Sequence, residues 1–336
     1  MEIIKSIKKN TIILLFITML VLYLVLKDDF NKVVKTLSSM DYRYILLAIL
    51  FFTLSIIIKA YVNYKTINNP NKVSLMEAIK HNVIVQFFNG ITPFSTGGQP
   101  MEIYMLTEHD IKASKAATIT IQGFIFYQIA LVIFGLIAVT YNAIFGIFPK
   151  SSVLRELTLL GFFVNTMVVV ALFIITFSRR LTKKISKFII NLLVKIKIVK
   201  NKEETVEKWN EKLEEFHNSA KELRKRKKLF VGGVVLNMLS LACLYIIPLF
   251  IVYSLKDYSS MNAADSLVAS AYVLIIGAFV PIPGASGGIE FGFLNFFNNF
   301  LNKNVISGVL IVWRFITYYL GMIIGALAFS LEKKGD

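Results

Sequence analysis

The chain has 336 residues, 56% of them hydrophobic and 17% charged, with a formal net charge of +16. Its mean hydropathy is +0.65. That composition leaves too little polar surface to cover soluble domains of this size. It excludes a soluble enzyme, a secreted disulfide scaffold and a disordered chain. What remains is an all-α polytopic membrane protein.

In chain order, the first apolar run, 11–26, follows Lys5, Lys8 and Lys9 and leads into Lys27-Asp28-Asp29 with no small-residue cleavage site. It is predicted to be a retained first span. Further full spans are predicted at 44–64, 116–141, 157–178, 229–253 and 305–331, each near the ~20 residues that a ~30 Å hydrocarbon layer requires. Two other apolar regions, 76–106 and 264–300, are interrupted by Gly and Pro near their centres. Each is predicted to be a broken, re-entrant helical hairpin. With the N-terminus in the cytoplasm, the cytoplasmic segments hold 26 Lys/Arg and the opposite segments 8. This agrees with the positive-inside rule and puts both termini inside.

Sliding the chain by 188 residues lays span 44–64 on 232–252 and span 116–141 on 304–329. It also lays Pro93 on Pro281, Glu102 on Glu290 and Glu77 on Asp265. Two units are therefore expected, 1–141 and 142–336. Each has three spans and one hairpin, and the odd number of crossings inverts the second unit. Inverted repeats whose broken helices meet near the midplane are a transporter design.

The two breaks carry the candidate chemistry. The first contains Pro93, Ser95, Thr96, Gly97, Gly98, Gln99 and Glu102; the second contains Pro281, Pro283, Gly284, Ser286, Gly287, Gly288 and Glu290. Pro breaks the helix and Gly permits tight reversal. The N–H groups that open the next helix suit a phosphate, and Ser95, Thr96 and Ser286 equally suit capping it. Glu102, Glu290 and Arg314 lie in apolar surroundings, where charge is expensive and marks a cavity or a partner. Glu290 and Arg314 suit either a buried pair or a headgroup site, the carboxylates for a cationic group and Arg314 for phosphate. Ser286 with Glu290 is the one acid–base pair a headgroup enzyme could use there, with no His or Cys nearby in sequence.

Cys243 is the single cysteine, and His81, His109 and His217 show no ligand spacing. No metal, cofactor or Walker-type phosphate loop is expected. Segment 179–228 holds 17 Lys/Arg and 7 Asp/Glu. Its first half places Leu181, Ile185, Phe188, Ile189, Leu192, Leu193 and Ile196 on one helical face opposite lysines, the pattern of a helix lying on anionic lipid. Its second half spaces Trp209, Leu213, Phe216, Ala220 and Leu223 as a short coiled-coil-like stripe. Nucleic-acid binding is not needed to explain this charge.

Pro281-Ile-Pro-Gly-Ala-Ser-Gly-Gly-Ile-Glu290 resembles the Pro-x-Pro-Gly-x-x-Gly-Gly-x-Glu signature of the lysylphosphatidylglycerol synthase transmembrane-region family, also called the flippase-like domain family. The stretch from Thr92 to Leu106 resembles that family's earlier Gly-Gly motif. The resemblance extends to the flippase half of multiple peptide resistance factors. It implies a plasma-membrane lipid flippase, bacterial in origin. Its implied substrate is aminoacylated (lysyl) phosphatidylglycerol or a related phospholipid, and its effect is on surface charge and cationic-peptide resistance. It carries over Pro281, Pro283, Gly284, Gly287, Gly288 and Glu290, but not Glu102. No synthase domain is expected after the last span, so a phosphatidylglycerol lysyltransferase activity would need a synthase in trans.

Overall fold

A computed structural model describes residues 38–69, 71–148, 152–195, 202–277 and 280–332. The first predicted span, 11–26, lies outside them. Among the described residues the chain is helical, with no strand. Five helices are long and apolar enough to cross a membrane: Tyr42–Ile67, Ala113–Phe145, Glu156–Phe177, Lys227–Ser254 and Val305–Leu331. They coincide with the five later predicted spans.

The elements follow local chemistry. Helix α1 (Tyr42–Ile67) starts where the Asp41 side chain accepts from the Arg43 N–H, and stops where Asn68 takes a left-handed conformation. Helix α2 (Leu75–Ile91) opens on a capping box between Ser74 and Glu77. It ends at Thr92, ahead of a 3-10 turn at Pro93–Ser95. Helix α3 (Gly98–Glu108) continues that broken region and packs back on α2. Helix α4 (Ala113–Phe145) is the long central element, closed by Gly146 at φ 62°. Helices α5 (Ser152–Phe177), α6 (Arg179–Lys195) and α7 (Lys202–Arg224) follow.

The predicted span 229–253 is bent. Helix α8 (Lys227–Tyr245) and helix α9 (Ile247–Ser254) meet just before Pro248, which has no N–H to give. The Leu249 N–H turns instead to Ile246 O at 3.1 Å. That frees the Tyr245 carbonyl, and two hydroxyls from the next helix take it up: Ser266 at 2.8 Å and Ser270 at 3.0 Å. Side chains of a neighbouring helix thus restore the polar balance that a proline removes in an apolar setting.

The second broken region comprises α10 (Ala263–Gly277), a 3-10 turn at Pro283–Ala285 and α11 (Gly288–Phe297). Helix α12 (Lys303–Arg314), a π turn at Phe315–Tyr319 and α13 (Leu320–Glu332) complete the described chain. Helix α1 packs on α8, α2 on α13, α10 on α11, and α4 on α8 and α10. The largest core gathers Phe52, Leu241, Tyr245, Phe293, Phe296 and Trp313, among others. Small polar side chains fasten helix to helix: Ser240 donates to Ser55 O at 2.9 Å and Asn82 to Ile56 O at 3.1 Å.

The coiled-coil-like stripe of segment 179–228 is put to a different use. In α7, Phe216 and Ala220 are buried, whereas Trp209 stays 46% exposed. Helix α7 packs on the start of α4, where the Thr118 hydroxyl reaches Phe216 O at 3.3 Å and the Ser114 hydroxyl reaches Glu215 at 2.7 Å. The periodicity was right for a helix with one buried side. The partner of that side is this chain's own α4.

Candidate functional site

The two breaks lie far apart in sequence and touch in space: the turn at Pro93–Ser95 contacts the turn at Pro283–Ala285. They share a backbone design. After the leading proline, Phe94 and Ser95 take φ of 54° and 53°, and Gly284 and Ala285 take 64° and 50°. Two consecutive left-handed positions in each turn, three of the four with a side chain, are strained backbone that surrounding packing must hold. Ser95, Thr96, Pro93 and Pro281 are exposed, while Gly97, Pro283, Gly284, Ser286 and Glu290 are half-buried.

These matching turns reset the internal alignment. Pro93 corresponds to Pro283, Gly97 to Gly287 and Gly98 to Gly288, an offset of 190 residues rather than 188. In this register Thr96 faces Ser286 and Pro100 faces Glu290. Glu102 and Glu290 are therefore not equivalent positions. The sequence comparison had matched two carboxylates that the folded backbone places differently.

Arg314 is the centre of the junction. It is 6% exposed although charged. Its Nε lies 2.8 Å from Glu290 Oε1, and an Nη donates to Gly284 O at 3.1 Å and to Ser286 Oγ at 3.4 Å. Its guanidinium lies over the Tyr318 ring at 4.4 Å. Tyr318 in turn donates to Gly90 O at 2.8 Å, on the last turn of α2. Arg314 and Tyr318 thus bind the two broken regions into one polar cluster. The π turn that follows Arg314 carries Tyr318; such turns occur often at functional sites. Sequence reasoning missed Tyr318. Nothing in the sequence marked it, because its hydrogen bond to Gly90 spans 228 residues of chain.

Glu290 has a second task. It accepts from the Gly287 N–H at 2.6 Å and so caps α11 at its own start. Gly287 holds φ 85°, and a Cβ built there meets nothing within 4 Å. The position is constrained by backbone conformation alone. Gly288 packs directly on Val280.

At the first break the caps are not the predicted ones. The Gly97 N–H gives to Thr92 Oγ1 at 2.8 Å and the Gly98 N–H to Asn89 Oδ1 at 2.9 Å. The Thr96 and Ser286 hydroxyls turn back to Pro93 O and Pro283 O, and Ser95 contributes no cap either. Residues preceding the proline do the capping because the left-handed turn folds them back under α3. Gln99 makes no side-chain hydrogen bond among the described residues.

Glu102 is held away from the Arg314 cluster. It accepts from Asn63 Nδ2 at 3.0 Å, with Lys59 and Thr120 beside it. Lys59 also lies over the Tyr127 ring at 5.2 Å. Glu102 therefore joins α3 to α1 and α4, apart from the break-to-break junction. His81 and His109 pack ring on ring at 5.2 Å, and no His/Cys/Asp/Glu group with metal-binding geometry occurs among the described residues.

The model of the lysylphosphatidylglycerol synthase TM region matches residues 11–325. The chain belongs to that family. Similar family proteins come from archaea and bacteria. A UPF0104 membrane protein of Archaeoglobus fulgidus is 28% identical over 285 residues, covering 78% of each chain. The uncharacterized protein MG306 of Mycoplasma genitalium is 22% identical over 327 residues, covering 90% of this chain and 81% of its own. Its homolog in Mycoplasma pneumoniae is 21% identical over 325 residues, covering 90% of this chain and 80% of its own. Family membership and five long apolar helices make this a multi-pass membrane protein. The Arg314 cluster joins the two breaks through an ion pair and hydrogen bonds. The Glu290 carboxylate is engaged by Arg314 and Gly287, and the Ser286 hydroxyl points to a carbonyl, so no base activates a nucleophile there.

Proposed function

We propose that this chain moves phospholipid between the two leaflets, with the headgroup passing the junction of the two breaks. Each broken region returns to the side from which it enters, and the two three-span units lie inverted to one another. The observation that carries the reading is the contact between two strained, glycine- and proline-rich turns around one buried arginine. Irregular backbone at membrane depth is tolerated where it is covered by protein or lines a wet cavity. A buried charge in such a place marks a substrate path.

The chemistry is an exchange of partners. Arg314 holds the Glu290 carboxylate, and a lipid phosphate is an anion that the same guanidinium fork can bind. As phosphate takes the guanidinium, Glu290 is released to meet a cationic headgroup amine. A zwitterionic or aminoacylated phospholipid supplies both charges, which fits lysyl-phosphatidylglycerol. The α11 cap at Gly287 ties the movement of Glu290 to that of the helix.

The test is reconstitution of the purified protein with labelled lysyl-phosphatidylglycerol and phosphatidylglycerol. Leaflet exchange well above that of protein-free vesicles is expected, and an equal rate overturns the reading. Gly287→Leu is expected to abolish exchange, because its φ of 85° does not suit an L side chain. Exchange unchanged in that variant removes the breaks as the path.

A further inference from the structure

We propose that α6 is a membrane-surface helix that reads anionic lipid on the face where the basic insert lies. This is independent of whether the breaks handle lipid. Helix α6 has three sides. Thr182, Ser186 and Ile190, four residues apart, are buried, and the Thr182 hydroxyl is bound by Ile175 O and Ser178 O at 2.9 Å. Leu181, Ile185, Phe188, Ile189 and Leu192 form a second stripe that is 44–69% exposed. The third side is basic, with Arg180, Lys184 and Lys187 exposed, and α6 contains no acidic residue.

The occupant of the apolar stripe follows from what lies at its start. In α5, Leu159, Leu160, Phe163, Met167, Val170 and Ile174 are exposed along a helix of spanning length. That lipid-facing row runs to Phe177, and α6 begins two residues later at Arg179. The apolar stripe of α6 therefore emerges from the edge of the hydrocarbon, with cations positioned for headgroup phosphates. A strut fixes its orientation. Helix α7 packs on α6 through Lys183–Glu214 at 3.2 Å and Arg179–Asn218 at 2.6 Å, leaving the apolar stripe uncovered.

The test uses the full chain with Cys243→Ala, carrying either Phe188→Cys or Lys184→Cys labelled with an environment-sensitive fluorophore. It is placed in vesicles of phosphatidylglycerol with phosphatidylcholine, and of phosphatidylcholine alone. In the anionic vesicles the probe at 188 is expected to shift to the blue and to be quenched several-fold more by a shallow lipid-borne quencher than the probe at 184. Adding Lys184→Glu and Lys187→Glu to the 188 reporter is expected to lose most of that quenching. A probe at 188 as wet as the one at 184 overturns the proposal. So does quenching that is equal in both vesicle types, or disulfide cross-linking through position 188 that shows a second copy on the stripe.

Discussion

At the residue scale, the buried arginine dominates. Arg314 is 6% exposed, and its charge is met by one carboxylate, one carbonyl and one aromatic face. Removing one partner of a buried pair leaves the other uncompensated, at a cost of about 3–5 kcal/mol. Arg314→Gln is expected to lower the unfolding midpoint in detergent accordingly, and an unchanged midpoint refutes the pairing. Arg314→Lys keeps the charge but loses the planar donors and the ring contact, and is expected to fall between. Gly287→Ala forces an L side chain to φ 85° and is expected to cost ~1–3 kcal/mol. Gly232→Ala, a half-buried helical glycine whose Cβ would also meet open space, is the control and is expected to be neutral or stabilising. Glu290 and Arg314 were legible in the sequence because charge is scarce in apolar runs. Tyr318 and Asn63 were not, since neither residue type is unusual there and each acts only across a distance the fold creates.

At the element scale, the helix ends and breaks were readable from Pro, Gly, Ser and Asn, whose backbone preferences are local. The offset of 190 was open to the sequence too: it lays Pro93 on Pro283 and Gly97-Gly98 on Gly287-Gly288, whereas 188 matches Pro281 and Glu290 but lays the glycine pair on Ala285-Ser286. The insert was legible only in part. Its periodicity announced helices, but a buried stripe does not name its partner, and for α7 that partner is α4. At this scale His217 gives a pH dependence. It lies on α7 with its ring buried, Nδ1 against Thr176 O at 3.1 Å and Nε2 without a partner. Burial holds its pKa below the ordinary 6.5, assisted by the cations Arg179 and Lys183 and opposed by the Thr176 carbonyl. Glu214 and Glu215 on the same helix are taken up by Lys183 and Lys112. The folded state thus favours the neutral ring, while the unfolded state binds the proton at higher pH. The stability His217 contributes is complete above about 6.5 and is lost as pH falls through that value. The protection factors of α7 amides, with the intrinsic pH dependence of exchange divided out, are expected to fall on acidification below pH 6.5, and His217→Phe is expected to flatten that response. Identical pH profiles for the two proteins refute the assignment.

At the scale of the whole molecule, the charge of +16 acquires an address. Ten of those net charges sit in segment 179–228, whose helices are folded onto the ends of α4 and α5. Deleting that segment would unroof Thr118 and Thr176 as well as remove charge. A labelling experiment separates the two faces without that damage. With the basic segment in the cytoplasm, a cysteine at Trp209, on α7, is expected to react with impermeant reagent only after the membrane is opened. A cysteine at Tyr258, between α9 and α10, is expected to react in intact cells. The reverse pattern inverts the orientation. Apolar run lengths and basic-loop bias carried this level of organisation in the sequence, because the membrane imposes them before any tertiary contact forms. The meeting of the two breaks is a long-range contact, expected from the sequence only through the shared pattern of the two breaks.

The π turn at Phe315–Tyr319 has a mechanical consequence. Such a turn accommodates one residue more than α winding needs. If that surplus were passed along the chain, α12 would screw by roughly 100° relative to α13, the angle of one residue in a helix. The guanidinium of Arg314 would swing off the Gly284 carbonyl while the Tyr318 hydroxyl stayed on Gly90. The surplus residue is thus the place on this helix where α12 and α13 can turn relative to one another.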